Sequence, residues 1–251
     1  MLKELKPAFL MLVVLTVLTG FAYPAVVTVL AQVLFRDQAN GSLVVLNGQV
    51  VGSRLIGQNF SKAEYFHPRP SAAGSGYDPT ASGGSNLGPT SAKLINGTTK
   101  IDDKKEEVVD YDGIKARILH YCIDNGIPFR SSVPLDAFKD TKGELDDVKL
   151  IKAFGDEKAP LVVSPRTPIP ADAVTSSASG LDPDISPRNA ELQAARVAKV
   201  RGVSTERVQQ LVAQYTEGRT WGFLGEPRVN VLELNLALDR ELPKKQGGLR
   251  H

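Results

Sequence analysis

The chain of 251 residues holds one cysteine, Cys122, and only three histidines. A single thiol cannot close an intramolecular disulfide, which excludes the stapled architecture of small secreted domains. A lone cysteine reads instead as a small buried hydrophobe. His67, His120 and His251 stand far apart, and no H-E-x-x-H or paired-cysteine pattern accompanies them, so no zinc site is legible. The nucleophile elbow G-x-S-x-G is missing. So is the calcium-loop pattern, and Asp136, Asp140, Asp146 and Asp147 therefore do not form an EF-hand. An excess of either charge is missing too. With 30 basic and 28 acidic residues the net charge is +2, which argues against a polyanion binder and against a nucleic-acid partner. No repeat of solenoid period appears.

What is present begins at the N-terminus. From Ala8 to Phe35 no side chain is charged. That run exceeds the ~20 residues needed to cross a bilayer as a helix. It is also too long for a signal-peptide core, and no clean cleavage triplet follows it. Pro24 inside it predicts a kink, and Thr16, Thr19 and Gly20 offer a small-residue face to another helix. Lys3 and Lys6 precede the run, while Arg36 is offset by Asp37. The positive-inside rule then places residues 1–7 in the cytoplasm, residues 8–35 across the membrane, and the bulk of the chain outside.

Beyond the span, Leu43–Leu46 and Gln49–Ile56 flank Asn47-Gly48, the pair best suited to a type I′ hairpin turn. Asn59–Phe66 reads as a short helix or a turn. Residues 95–160 change in texture and carry half of the chain's acidic residues. This segment reads as a charged, solvated insertion. Within it a helix is expected around Gly113–Gly126, with Ile114, Ile118, Leu119 and Cys122 on one face. Pro165, Pro168 and Pro170 then forbid a central strand. Ser186-Pro187 opens a helix that ends at Gly202. Ser204 caps a second, stapled by Val203 and Val208 and closed at Gly218. The tight link between the two makes an αα-hairpin. The last segment, up to residue 242, fits both an alternating strand and a helix capped by Asn230 and Glu233, and the helix is the favoured reading. Residues 243–251 read as a flexible tail. The expected fold class is α+β: one transmembrane helix, then a small-sheet domain with three or four helices.

Residues 71–91, SAAGSGYDPTASGGSNLGPTS, are rich in Gly and Ser. A Walker loop needs G-K-S/T, which is missing. A dinucleotide loop must link a strand to a helix, and Pro79 and Pro89 interrupt both sides. A flexible linker would lack Tyr77, Asp78, Asn86 and Leu87. The composition points to an ordered, shaped loop, as does that of SGLDPDISP at 179–187.

Three blocks, YFHPRPSAAGSGYDPTASGGSNLGPTS, VTSSASGLDPDISP and EGRTWGFLGEPRVNVLELNLALD, together with Tyr23-Pro24, resemble the C subunit of the potassium-transporting P-type ATPase, the Kdp system. The resemblance covers about residues 1–94 and 161–242. One departure is Asp184, where many members carry His. The resemblance implies a subunit of the inner membrane with no catalytic residue and no cofactor of its own, ATP and K⁺ being handled by the complex. The partners it implies are a channel-like A subunit, an ATP-hydrolysing B subunit and a small F peptide. It also implies a role in assembly and as a catalytic chaperone that raises the B subunit's ATP affinity. On this basis residues 71–90, 179–187 and 225–230 are expected to form a docking surface. Its candidates are Tyr77, Asp78, Ser82, Asn86, Pro89, Asp182, Arg188, Glu226 and Arg228, with Tyr77 as the anchor. The alternative is a membrane-anchored outer-face enzyme or ligand-binding module, for which Glu217, Arg219, Glu226 and Arg228 are the nearest charged set.

Overall fold

The computed structural model describes residues 2–244, so the tail beyond Lys244, His251 included, lies outside the described residues. Residues up to Leu55 and from Ile56 onward form two separate compact units. The first begins with α1 (Leu2–Val17), a π-helical turn (Leu18–Ala22) and α2 (Tyr23–Leu34), which run on as one helix. Lys3–Leu34 spans 32 residues with none of its most apolar window buried. That fits a single-pass membrane helix by length and composition. The π turn sits where Pro24 withholds its N–H and its ring crowds the carbonyl of Gly20, so the wider turn absorbs the proline. A short helix α3 (Arg36–Ala39) leads to the hairpin of β1 (Leu43–Leu46) and β2 (Gln49–Ser53). Asn47 and Gly48 both take positive φ at its turn, and β2 stops at Ser53 rather than reaching Ile56.

The second unit is α+β, as the sequence indicates. Its elements are α4 (Ala92–Asn96), β3 (Thr98–Ile101), β4 (Glu107–Tyr111), α5 (Gly113–Asp124), β5 (Phe129–Ser131), α6 (Asp147–Phe154), β6 (Val163–Pro165), β7 (Asp184–Ile185), α7 (Pro187–Arg201), α8 (Thr205–Gln214), β8 (Thr216–Glu217), β9 (Arg228–Asn230) and α9 (Val231–Glu241). The helices outnumber the three or four expected, because residues 92–154 contribute three. The strands form the pairs β3–β4 and β5–β6 and a three-stranded sheet in the order β7-β9-β8. Pro165 ends a strand that has only one neighbour, so its missing N–H disrupts no second ladder.

The caps follow the sequence. Ser186, Ser204 and Asn230 each accept the N–H three residues on, and Gly202 closes α7 with a left-handed φ of +67°. Two expectations shift. Helix α8 ends at Gln214, not at Gly218, because Thr216 and Glu217 leave it to pair with β9. The buried ridge of α5 is Gly113, Ala116, Leu119 and Cys122, with Ile114 and Ile118 only partly buried. Small residues at three-residue spacing let this helix approach its neighbours closely, which displaces the larger isoleucines to the flanks.

Two apolar clusters organise the unit. The larger gathers α7, α8 and α9 around Phe66, Val197, Val208, Leu234 and Leu238. Val203 packs against it beside the buried Val208, where a hydrophobic staple would place it. The smaller joins α5 and α6 through Ala116, Leu119, Leu150, Phe154 and Leu161.

Residues 59–66 form no helix, only bends and turns. The chain at 63–67 has no ladder, yet Phe66 is fully buried. Side chains of α7 and α9 supply the missing backbone partners. Gln193 accepts from the His67 N–H at 2.7 Å and donates to its carbonyl at 3.0 Å. Asn235 does the same for Phe66 at 2.8 and 3.0 Å. Arg196 donates to the carbonyls of Ala63 and Tyr65, and Arg201 to that of Glu64. This clamp fixes the starting point of the loop that follows.

Candidate functional site

From the clamped segment the chain runs through Arg69, Pro70 and Ser71 into the Gly/Ser-rich loop. That loop lies against the second Ser/Gly loop, more than ninety residues later in sequence. The Gly83 N–H donates to the Ser179 carbonyl at 2.8 Å, and Ser82 Oγ donates to the same carbonyl at 3.0 Å. Ser71 Oγ is the hub. It donates to the Gly180 carbonyl at 2.7 Å and accepts the N–H groups of Tyr77 at 2.8 Å and Ala73 at 3.2 Å. The Gly57 N–H donates to the Leu181 carbonyl at 2.8 Å.

Close approach explains two of the glycines. Gly180 has φ +68°, and a Cβ there would stand 2.5 Å from the Gly83 carbonyl oxygen. A Cβ on Gly57 would stand 2.5 Å from the Asp182 carbonyl oxygen and 2.7 Å from the Tyr77 ring. At these two positions the chain meets backbone so closely that no Cβ fits.

Tyr77 sits at the junction in a left-handed conformation, φ +57°. Its hydroxyl donates to the Arg69 carbonyl at 2.5 Å, and burial, aided by the Asp182 charge, pushes the phenol well above its ordinary range. Arg69 pairs with Asp182 at 2.7 Å. Asp182 also accepts the Asp184 N–H at 3.1 Å. Asp78 accepts the N–H and the hydroxyl of Thr80 at 2.8 and 2.6 Å, and these bonds hold its carboxyl below the usual range. Asn86 takes φ +52° and is exposed, and Pro89 lies in a turn closed by the Ser91 N–H on the Gly88 carbonyl.

Six of the nine candidate residues, namely Tyr77, Asp78, Ser82, Asn86, Pro89 and Asp182, thus belong to one locked pair of loops. Arg228 joins them through Asp184, at 3.3 Å, and also holds Glu217 at 2.7 Å. Burial, with the Asp182 charge beside it, raises the Asp184 carboxyl, and Arg228 opposes that rise. Glu226 pairs with Arg219, and Arg188 with Glu191 one turn along α7, so neither is bonded to the loop pair. The charged set Glu217, Arg219, Glu226 and Arg228 resolves into surface ion pairs. Sequence reasoning missed Ser71, Arg69, Gly57 and Gly180 as the elements that join the loops. The signal lay in HPRPS and SSASG, where small residues flank one arginine, but the pairing spans too much sequence to be read from either.

A groove of about 480 Å³ opens beside the loops, lined by Phe60, His67, Tyr77, His120, Tyr121 and Asp124 among others. Burial, and after it the Arg196 charge, lower the His67 pKa. His120 bonds Asp147 at 2.6 Å, which raises its pKa. Among the described residues no group of three or more His, Cys, Asp or Glu could hold a metal ion.

These features define a membrane-anchored α+β domain that displays a rigid, backbone-locked loop surface. Known proteins narrow the class. A family model described as the c chain of the K⁺-transporting ATPase, KdpC, matches residues 5–125 and 130–240. A protein of Koribacter versatilis, named potassium-transporting ATPase KdpC subunit, is 45% identical over 97% of this chain and 97% of its own length. Namesakes from Mycobacterium bovis and Myxococcus xanthus are 43% and 48% identical over 96% and 91% of this chain, covering 100% and 83% of their own. The chain belongs to the KdpC family.

Proposed function

We propose that this chain is a non-catalytic accessory subunit of a high-affinity, ATP-driven potassium uptake pump. The observation that carries the reading is the family match, which runs through the anchor and the domain alike. In this reading the chain joins a channel-like A subunit, an ATP-hydrolysing B subunit and a small F peptide in the cell inner membrane. Lys3 and Lys6 before the span favour a cytoplasmic N-terminus and an outer domain. ATP and K⁺ are bound by the partners, and this chain brings no cofactor. The locked loops serve assembly: Tyr77 and Arg69 act as internal struts, while the exposed Ser82, Asn86 and Pro89 form the contact edge.

An outer domain cannot touch cytosolic ATP. Its chaperone effect on the B subunit is then a coupling free energy transmitted through the assembly, on the order of 1–3 kcal/mol, or about 5–150-fold in ATP affinity. The test is purification from the native host by a C-terminal tag, followed by measurement of ATP affinity with and without this chain. Co-recovery of a P-type ATPase and a weaker ATP affinity in its absence are expected. Recovery of the chain alone in several mild detergents would overturn the reading. The groove beside His67 and His120 would then favour a ligand-binding module.

A further inference from the structure

Residues 218–227 project from the β8–β9 pair as a narrow arm, and every one of them is exposed. Thr220 and Leu224 bridge it with two backbone hydrogen bonds of 2.9 Å. At its tip Trp221 is 81% exposed, Phe223 67% and Leu224 44%. The Phe223 N–H bonds the Thr220 carbonyl, so Trp221 and Gly222 are the central pair of the turn. Their φ values, +53° and +82°, suit a type I′ turn.

The same chain makes such a turn elsewhere from the favoured residues. Asn47 and Gly48 have φ +52° and +79°. A bulky aromatic in that first position is conformationally costly and an outlier. The turn alone would select Asn, so Trp221 is present for what it touches beyond the arm.

The arm's charges point to what that is. Arg219 and Glu226 close on each other at 2.8 and 2.9 Å, and Arg228 is taken by Glu217 and Asp184. The tip is therefore apolar and electroneutral, with its ion pair set back from the end. Tryptophan carries a large apolar ring and one N–H donor, the combination enriched where hydrocarbon meets water. A bilayer is within reach: only α3 and the β1–β2 hairpin, residues 35–55, lie in sequence between the Lys3–Leu34 helix and the second unit, and even a fully extended chain of that length would span only about 70–75 Å. Tethering raises the effective concentration of the surface, so a small tip suffices.

We propose that the Trp221–Leu224 tip inserts into the lipid interface as a second contact with the membrane, driven by apolar burial and not by anionic headgroups. The proposal rests on the reading that the apolar run of the Lys3–Leu34 helix spans the bilayer. Trp221 is the chain's only tryptophan, so its emission reports the tip alone. The full chain is reconstituted in phosphatidylcholine vesicles whose acyl chains are brominated, and iodide is the aqueous quencher. The expected result is strong quenching by bromolipid and weak quenching by iodide, unchanged by 0.5 M salt or by added anionic lipid. Replacing both Phe223→Ser and Leu224→Ser, which leaves the reporter in place, moves the balance toward iodide by about tenfold.

Emission quenched by iodide and untouched by bromolipid, with the chain still floating with the vesicles, would overturn the proposal while leaving the anchor intact. Loss of the chain from the vesicles would refute the anchor, and the proposal with it. Shielding from both quenchers that appears only in the assembled pump would also overturn it, in favour of a protein partner for the tip.

Discussion

The two apolar clusters of the second unit are held in different ways. The α7–α8–α9 cluster is large and encloses polar side chains: Asn189, Gln193, Arg196, Arg201 and Asn235 are all buried. Four of them bond the ladderless backbone at 63–67, so the polar groups do the work of a missing strand partner. The α5–α6 cluster is small, and its surroundings are ion pairs at the surface. Lys152 pairs with Glu107, Lys93 with Asp110, and His120 with Asp147. Surface pairs of this kind contribute little, typically below about 1 kcal/mol each. Side-chain bonds tie the regions together: the Tyr121 hydroxyl donates to Asn189, and Arg196 donates to the Asn125 side-chain oxygen. The difference teaches that polar and charged side chains can serve opposite ends. In one region they specify a buried geometry, and in the other they keep a small core soluble.

The largest effect is expected from Arg201→Met. The side chain is 1% exposed and serves the carbonyls of Glu64 and Leu242 as well as Asp239. Its loss strands those acceptors, at a cost of about 3–5 kcal/mol in a urea melt of the detergent-solubilised chain. An effect below 1 kcal/mol would show that the clamp is not what holds segment 63–67.

Leu150→Ala, in the smaller cluster, is expected to cost about 2–4 kcal/mol. Hydrogen exchange sharpens the comparison here. Amides of α5 and α6 should lose protection while those of α7 and α9 keep theirs. Uniform loss would mean that the two clusters unfold as one.

The smallest effects are electrostatic and differ in sign. The His120 pKa is raised by Asp147, so that bond's stabilisation is complete below the ordinary pKa of about 6.5 and fades as pH rises through the raised value. The His67 pKa is lowered by burial, so its contribution is complete above about 6.5 and is lost as pH falls through the lowered value. Melting profiles between pH 5 and 9 should flatten on the alkaline side in His120→Gln and on the acid side in His67→Gln. The same flattening in both variants would contradict the contrast.

Much of this fold was legible because its signals are local. Ser186, Ser204, Asn230 and Gly202 mark helix ends by their own chemistry, and Asn47-Gly48 marks a hairpin. The Gly/Ser loops were legible as ordered because Tyr77, Asp78 and the prolines do not suit a linker. The clamp was not legible. Gln193 and Arg196 lie on α7, and nothing near them reveals that the segment they bind lies more than 120 residues earlier. The ridge of α5 was misread because size was weighed over fit, and Gly113 and Ala116 occupy the tight positions. The arm was hidden for a similar reason: where α8 stops depends on the pairing of Thr216 with Val229.

The two loops lock into one surface, and its use in assembly is what we propose. The most direct measurement is on Gly180→Ala, whose Cβ would collide with the Gly83 carbonyl oxygen while leaving the helical cluster untouched. Exchange at the Gly83 amide, melting of the chain and recovery of the partner subunits are read together. The account predicts a deprotected Gly83 amide, a helical cluster that melts as before, and at least tenfold lower partner recovery, equivalent to about 1.4 kcal/mol or more of binding. Full recovery of the partners with the Gly83 amide deprotected would contradict it.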